Sequence, residues 1–113
     1  MPSNRTLMVL PGDGVGPEVV KETLRVVDWF AKNKSISFNL KEGLVGGASF
    51  DKYGTPLSDE TLADAIDADA ILFGAVGSPK YDGVEFEKRP ENGLLRGRKE
   101  RDLFANLRPA MVF

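Results

Sequence analysis

Short apolar runs alternate with stretches of helical periodicity, and that alternation leaves few architectures open to the chain. Residues 6–10 (TLMVL) form an apolar run of buried-strand length. Val20, Leu24, Val27 and Ala31 then recur at helical spacing, with Phe30 beside them. They predict a helix that opens at Pro17, a favoured first position, and runs to about Lys32. Residues 36–40 alternate apolar and polar (ISFNL) and read as a second strand. Residues 43–54 are glycine-rich and irregular, with one helical turn around 48–52. Ser58 is placed to cap a helix over residues 59 to about 68, whose acidic first turn suits the helix dipole. Residues 69–75 (DAILFGA) give a third strand. Strands alternating with helices predict an α/β architecture with parallel pairing.

Composition narrows the function. A chain of 113 residues with a formal charge of −2 makes at most one domain and is no strongly basic nucleic-acid binder. No apolar run approaches the roughly 20 residues needed to cross a bilayer, and the start runs into a strand without a signal-peptide pattern. The sequence has no cysteine, which excludes disulfides and thiolate metal sites and is compatible with a cytosolic setting. It also has no histidine, the commonest general base and metal ligand. Asp64, Asp67 and Asp69 resemble a metal cluster at a glance, but they lack a calcium-loop pattern and read as solvated surface.

Two loops follow predicted strands. Gly12-Asp13-Gly14-Val15-Gly16 has G-x-G-x-G spacing, not the G-x-G-x-x-G of a dinucleotide fingerprint, and Pro17 removes an N–H that would cradle a phosphate. It reads as a tight strand-to-helix turn. Residues 74–83 leave the carboxyl end of a parallel strand, where ligands of open α/β sheets bind, although their glycines and proline would serve a plain turn equally well.

The richest stretch is residues 89–109, RPENGLLRGRKERDLFANLRP. Pro90 suits a first helical turn, and a helix is expected from about 91 to about 102, followed by a strand from Leu103 onward. Glu91, Leu94, Leu95 and Arg98 fall at i, i+3, i+4 and i+7 and share a face, while the strand would turn Asn106 and Arg108 to one side. Two arginines near an apolar pair suit a small ligand with carboxylates at one end and an alkyl group at the other, because guanidinium binds carboxylate bidentately. The alternative is plain: two core leucines with an arginine snorkelling from the edge. Arg96, Lys99, Glu100 and Arg101 read as a solvated face, and Gly97 has no local reason to sit inside a helix.

Arg89-Pro90-Glu91, the Leu94-Leu95 pair, Arg98 and Ala105-Asn106-Leu107-Arg108-Pro109 together resemble the isocitrate/isopropylmalate dehydrogenase family of decarboxylating dehydrogenases, on its isopropylmalate branch. The resemblance covers nearly the whole chain. It implies a three-layer α/β/α fold of the non-Rossmann type, with residues 1–113 as the N-terminal part of the catalytic domain. It further implies oxidation and decarboxylation of 3-isopropylmalate by NAD, in leucine biosynthesis, by a cytoplasmic homodimer. Arg98 and Arg108 would bind the malate carboxylates, and Leu94 and Leu95 would face the isopropyl group. Ser78, Pro79, Lys80, Tyr81, Asp82, Gly83 and Glu91 would contact the cofactor, with Glu91 at the nicotinamide ribose. The family usually has glycine where Ser78 stands and tryptophan where Tyr81 stands. The aspartates that hold Mg²⁺ or Mn²⁺, and the catalytic lysine and tyrosine, would lie beyond Phe113, so no catalytic or metal residue is expected here and the chain alone is expected to be inactive and marginally stable. Tartrate/malate or homoisocitrate dehydrogenase, and a non-catalytic dicarboxylate-binding subunit, are the alternatives.

Overall fold

In a computed structural model, which describes residues 3–113, three parallel strands form a sheet in the order β2-β1-β3. The strands are β1 (Ser3–Gly12), β2 (Ile36–Glu42) and β3 (Ala70–Ala75). The helices are α1 (Gly16–Asn33), α2 (Gly47–Tyr53), α3 (Asp59–Asp67) and α4 (Pro90–Glu100). The expected α/β class and parallel pairing are thus observed.

Alternation along the central strand builds both faces. Met8 and Leu10 are buried in one cluster with Val45, Leu57, Leu62, Ala65 and Ala68. Val9 is also buried and, one residue out of phase, faces the opposite side of the sheet. Ser58 caps α3 as expected, its hydroxyl accepting from the Thr61 amide at 3.2 Å. None of the described helices is long and apolar enough to cross a membrane.

The structure corrects two expectations. Residues 103–113 form no strand and are exposed. A strand exists only where a neighbour completes its hydrogen-bond ladder, and no described segment runs beside this one. Arg96 and Arg101 are not a solvated face. Arg96 donates to the Leu57 carbonyl at 2.7 Å and pairs with Asp59 at 2.5 Å, at the start of α3. Arg101 donates to the carbonyls of Ala65, Ile66 and Asp69, at its end. Arg96 thus finds a carbonyl and a carboxylate and Arg101 only carbonyls, contacts that helical spacing alone does not reveal.

Candidate functional site

The chain leaves β1 to build β2 on one side and returns to build β3 on the other. The strand order therefore reverses between β1 and β3, and open α/β sheets bind ligands at the carboxyl ends beside such a point. The loops that meet there are residues 12–16 and 76–83.

The first loop is a tight turn, as its spacing suggested. Gly12 has φ +80°, and a Cβ there would stand 1.9 Å from the Ala75 carbonyl oxygen. The Asp13 side chain fills the concavity. It is buried and accepts from the amides of Gly47 and Ala48, each at 2.7 Å, and of Gly77 at 3.0 Å. Asp13 thereby joins the β1–α1 turn, the start of α2 and the start of the second loop. Sequence reasoning passed over it, since its partners lie far along the chain.

The second loop and the start of α4 enclose a polar cavity of about 230 Å³ lined by Gly77, Ser78, Tyr81, Asp82, Arg89 and Glu91. The six residues 78–83 expected at a cofactor thus lie on one loop, Ser78, Tyr81 and Asp82 lining the cavity, and Glu91 faces them across it. Gly77 has φ +99°, and a Cβ there would meet only Glu91 Oε1, at 3.9 Å, so a small gap is kept open between loop and carboxylate. Ser78 is extended (φ −160°, ψ 161°), a conformation any residue adopts, so serine stands there without strain.

Lys80 and Tyr81 reach the other way. Lys80 Nζ and the Tyr81 hydroxyl each lie 2.8 Å from Asp51 Oδ2 on α2. The Tyr81 ring is buried against α2, where a Cβ on Gly47 would fall 2.0 Å from it. The Lys80 hydrogen bond, then that of Tyr81, holds the Asp51 carboxyl below its usual value. Asp51 in turn raises Lys80. Burial, then the Asp51 hydrogen bond, raises the Tyr81 hydroxyl. Tyr81 lines the cavity together with Ser78 and Asp82, whereas Lys80 is not part of its lining.

On α4 the four residues expected on one face are divided. Leu94 and Arg98 line an apolar cavity of about 210 Å³ with Leu10, Leu57, Ile71 and Phe73. Glu91 lines the polar cavity instead. Leu95, 100° around the helix from Leu94, is 55% exposed. Arg98 forms no ion pair among the described residues. It also borders the exposed stretch from Leu103 to Leu107, while Arg108 lies beyond in the same irregular segment. The site thus pairs one free guanidinium with an apolar hollow, and a polar cavity bearing a carboxylate lies at the start of the same helix.

The acidic trio is surface. Lys41 pairs with Asp64 at 3.0 Å, and Asp69 accepts from the Thr6 amide at 2.8 Å. No group of three or more potential metal-ligating side chains occurs among the described residues.

Residues 6–113 match the family described as isocitrate/isopropylmalate dehydrogenase. The chain is 56% identical over 111 residues to a protein named 3-isopropylmalate dehydrogenase from Ruegeria pomeroyi, covering 98% of this chain and 30% of that one. It is 54% identical over 107 residues to a protein of the same name from Aquifex aeolicus, covering 95% and 29%. Among solved structures, a β-decarboxylating dehydrogenase from Thermococcus kodakarensis superposes with a TM-score of 0.65 at 34% identity, covering 88% of this chain and 27% of that one. The isocitrate dehydrogenase of Methylococcus capsulatus follows at 0.61 and 26%, covering 73% and 22%. The chain spans about 30% of the length of the curated relatives it matches.

Proposed function

The chain belongs to the isocitrate/isopropylmalate dehydrogenase family, and we propose that the protein containing it oxidises and decarboxylates (2R,3S)-3-isopropylmalate to 4-methyl-2-oxopentanoate with reduction of NAD⁺, a step of leucine biosynthesis. The observation that carries this reading is the juxtaposition on α4 of Arg98, free of ion pairs among the described residues, and Leu94 beside an apolar hollow. Arg98 would hold a malate carboxylate, joined by Arg108 when the exposed segment closes over the ligand. Leu94 and the exposed Leu95 would receive the isopropyl group. A third carboxylate in that place would be desolvated without a partner, which disfavours isocitrate.

NAD fits the polar cavity in part. The gap kept open at Gly77 and the Glu91 carboxylate opposite suit a ribose with hydroxyls to donate. A cavity of about 230 Å³ holds one end of a dinucleotide and no more. When bound, the cofactor would accept the hydride, and these residues would orient its nicotinamide end. The divalent ion is another matter. The described residues include no cluster to hold it, so no step through it is assigned to them. On the family resemblance, the enzyme is a cytoplasmic homodimer using Mg²⁺ or Mn²⁺.

The test is NADH production by the full-length protein with 3-isopropylmalate, isocitrate and tartrate side by side, with and without Mg²⁺. The expected result is strong preference for 3-isopropylmalate, lost without metal. Turnover of tartrate or isocitrate in preference would move the protein to another branch of the family, and none with any of the three would make it a binding relative.

A further inference from the structure

The loop of residues 77–83 is held at two points by side chains outside it. At its start, Asp13 accepts from the Gly77 amide at 3.0 Å. In its middle, Asp51 Oδ2 receives both Lys80 Nζ and the Tyr81 hydroxyl at 2.8 Å. The two carboxylates are not independent. Asp13 also binds the first amides of α2, the helix that carries Asp51. The Tyr81 ring closes the arrangement by lying where a side chain on Gly47 would otherwise stand.

From this we infer that Asp51 is a positioning residue for the nicotinamide end of the cofactor: acting through Lys80 and Tyr81, it fixes the 77–83 loop so that Gly77 and Ser78 face Glu91. The inference rests on the proposed function's reading of that loop as a cofactor contact. Asp51 touches no part of the cavity itself. Its side chain is 43% exposed, and exposed ion pairs contribute little to global stability. Its effect is therefore local, on the set of conformations the loop samples. Two groups meeting one oxygen leave the loop fewer alternatives than either would alone, and a preorganised loop binds its ligand at lower entropic cost. The amides that report the loop's order are Tyr81, bonded to the Ser78 carbonyl, and Val84, bonded to that of Tyr81.

The experiment uses the full-length protein, unsubstituted and as Asp51→Ala and Asp51→Asn. Hydrogen exchange of the amides of residues 77–84 and steady-state kinetics are read together. In Asp51→Ala, exchange at Tyr81 and Val84 is expected to quicken about tenfold and the KM for NAD to rise about tenfold, the size of one lost charge-assisted hydrogen bond. The KM for 3-isopropylmalate, kcat and the unfolding midpoint stay close to those of the unsubstituted protein. Asp51→Asn falls between, because its amide oxygen still accepts the Tyr81 hydroxyl while the charge that holds Lys80 is gone. Unchanged exchange at those amides would overturn the inference. So would a joint fall of kcat, both affinities and the midpoint, which marks a merely structural residue. If the unsubstituted protein turns over none of the substrates, the functional reading fails separately, and the exchange arm still decides whether Asp51 orders the loop.

Discussion

Two glycines on α4 separate local preference from packing. Gly97 is inside the helix, and a Cβ there would meet only Leu57 Cδ2, at 3.9 Å, an ordinary contact at the edge of the apolar cavity. Gly97→Ala is expected to stabilise by about 0.5–1 kcal/mol, read as a raised unfolding midpoint. At Gly93 the same methyl would stand 2.5 Å from the Pro56 carbonyl oxygen, so Gly93→Ala is expected to destabilise by about 1–3 kcal/mol. Opposite signs from one substitution type would show that close approach of α4 to residue 56, not helix propensity, selects glycine at 93. Tyr81 gives a titration. Its hydroxyl and the Lys80 amine are held above their usual 10.0 and 10.5, so both favour the folded state below those values and lose that contribution as pH rises through the raised ones. Asp51, held below 3.8, contributes above that value and loses it as pH falls through the lowered one. The Asp51–Lys80–Tyr81 contacts are therefore indifferent to pH between about 4 and about 10. In Asp51→Ala the Tyr81 midpoint is expected to fall, followed through the ring-carbon resonance assigned with Tyr81→Phe. A midpoint unmoved by that substitution would deny the hydrogen bond.

Among the elements, the C-terminal half of α4 is tied to the two ends of α3, Arg96 to Leu57 and Asp59 at its start, and Arg101 to Ala65, Ile66 and Asp69 at its end. Arg98 stands between them, so the part of the helix that presents it is held on both sides. Arg101→Ala in the full-length protein is expected to cost about 1–3 kcal/mol and to raise the KM for 3-isopropylmalate more than that for NAD. Equal effects on both would argue against a role in presenting Arg98. Neither tie was legible in the sequence. Charged residues on a helix look alike whether they meet water or a carbonyl thirty positions away, and the same blindness hid Asp13 and Asp51. The apolar runs and the cap and proline signals, by contrast, located β1–β3 and α1–α4 to within a few residues, because burial of Met8, Leu10, Val20, Leu57 and Leu62 imposes the apolar spacing. They erred at residues 103–113, where strand-like composition is present and a partner strand is not. The α4 motif and the 78–83 loop could be singled out in the sequence, but the division of Leu94 from Leu95 and the turn of Lys80 and Tyr81 toward Asp51 depend on partners far along the chain.

The whole molecule is wider than a compact domain of its length. Its radius of gyration is 15.1 Å, against about 13 Å for a compact 113-residue domain. The exposed segment beyond α4 contributes to this, with Phe104 at 96% and Leu107 at 86% exposure. Apolar surface on that scale is an association hazard. The 113-residue chain prepared alone is expected to self-associate, to melt broadly and to produce no NADH, checked by light scattering, calorimetry and the same assay. A sharp monomeric melt, or turnover, would contradict this. In the proposed function the leucines of α4 read the substrate's alkyl group. The decisive measurement is the ratio of kcat/KM for 3-isopropylmalate to that for malate, in the full-length protein and in Leu94→Ala. Burying alkyl carbon gains about 0.8 kcal/mol per methylene, so the substitution should lower the ratio about tenfold while turnover of malate is unchanged. A ratio that does not move, because both substrates fall together or neither does, would contradict it.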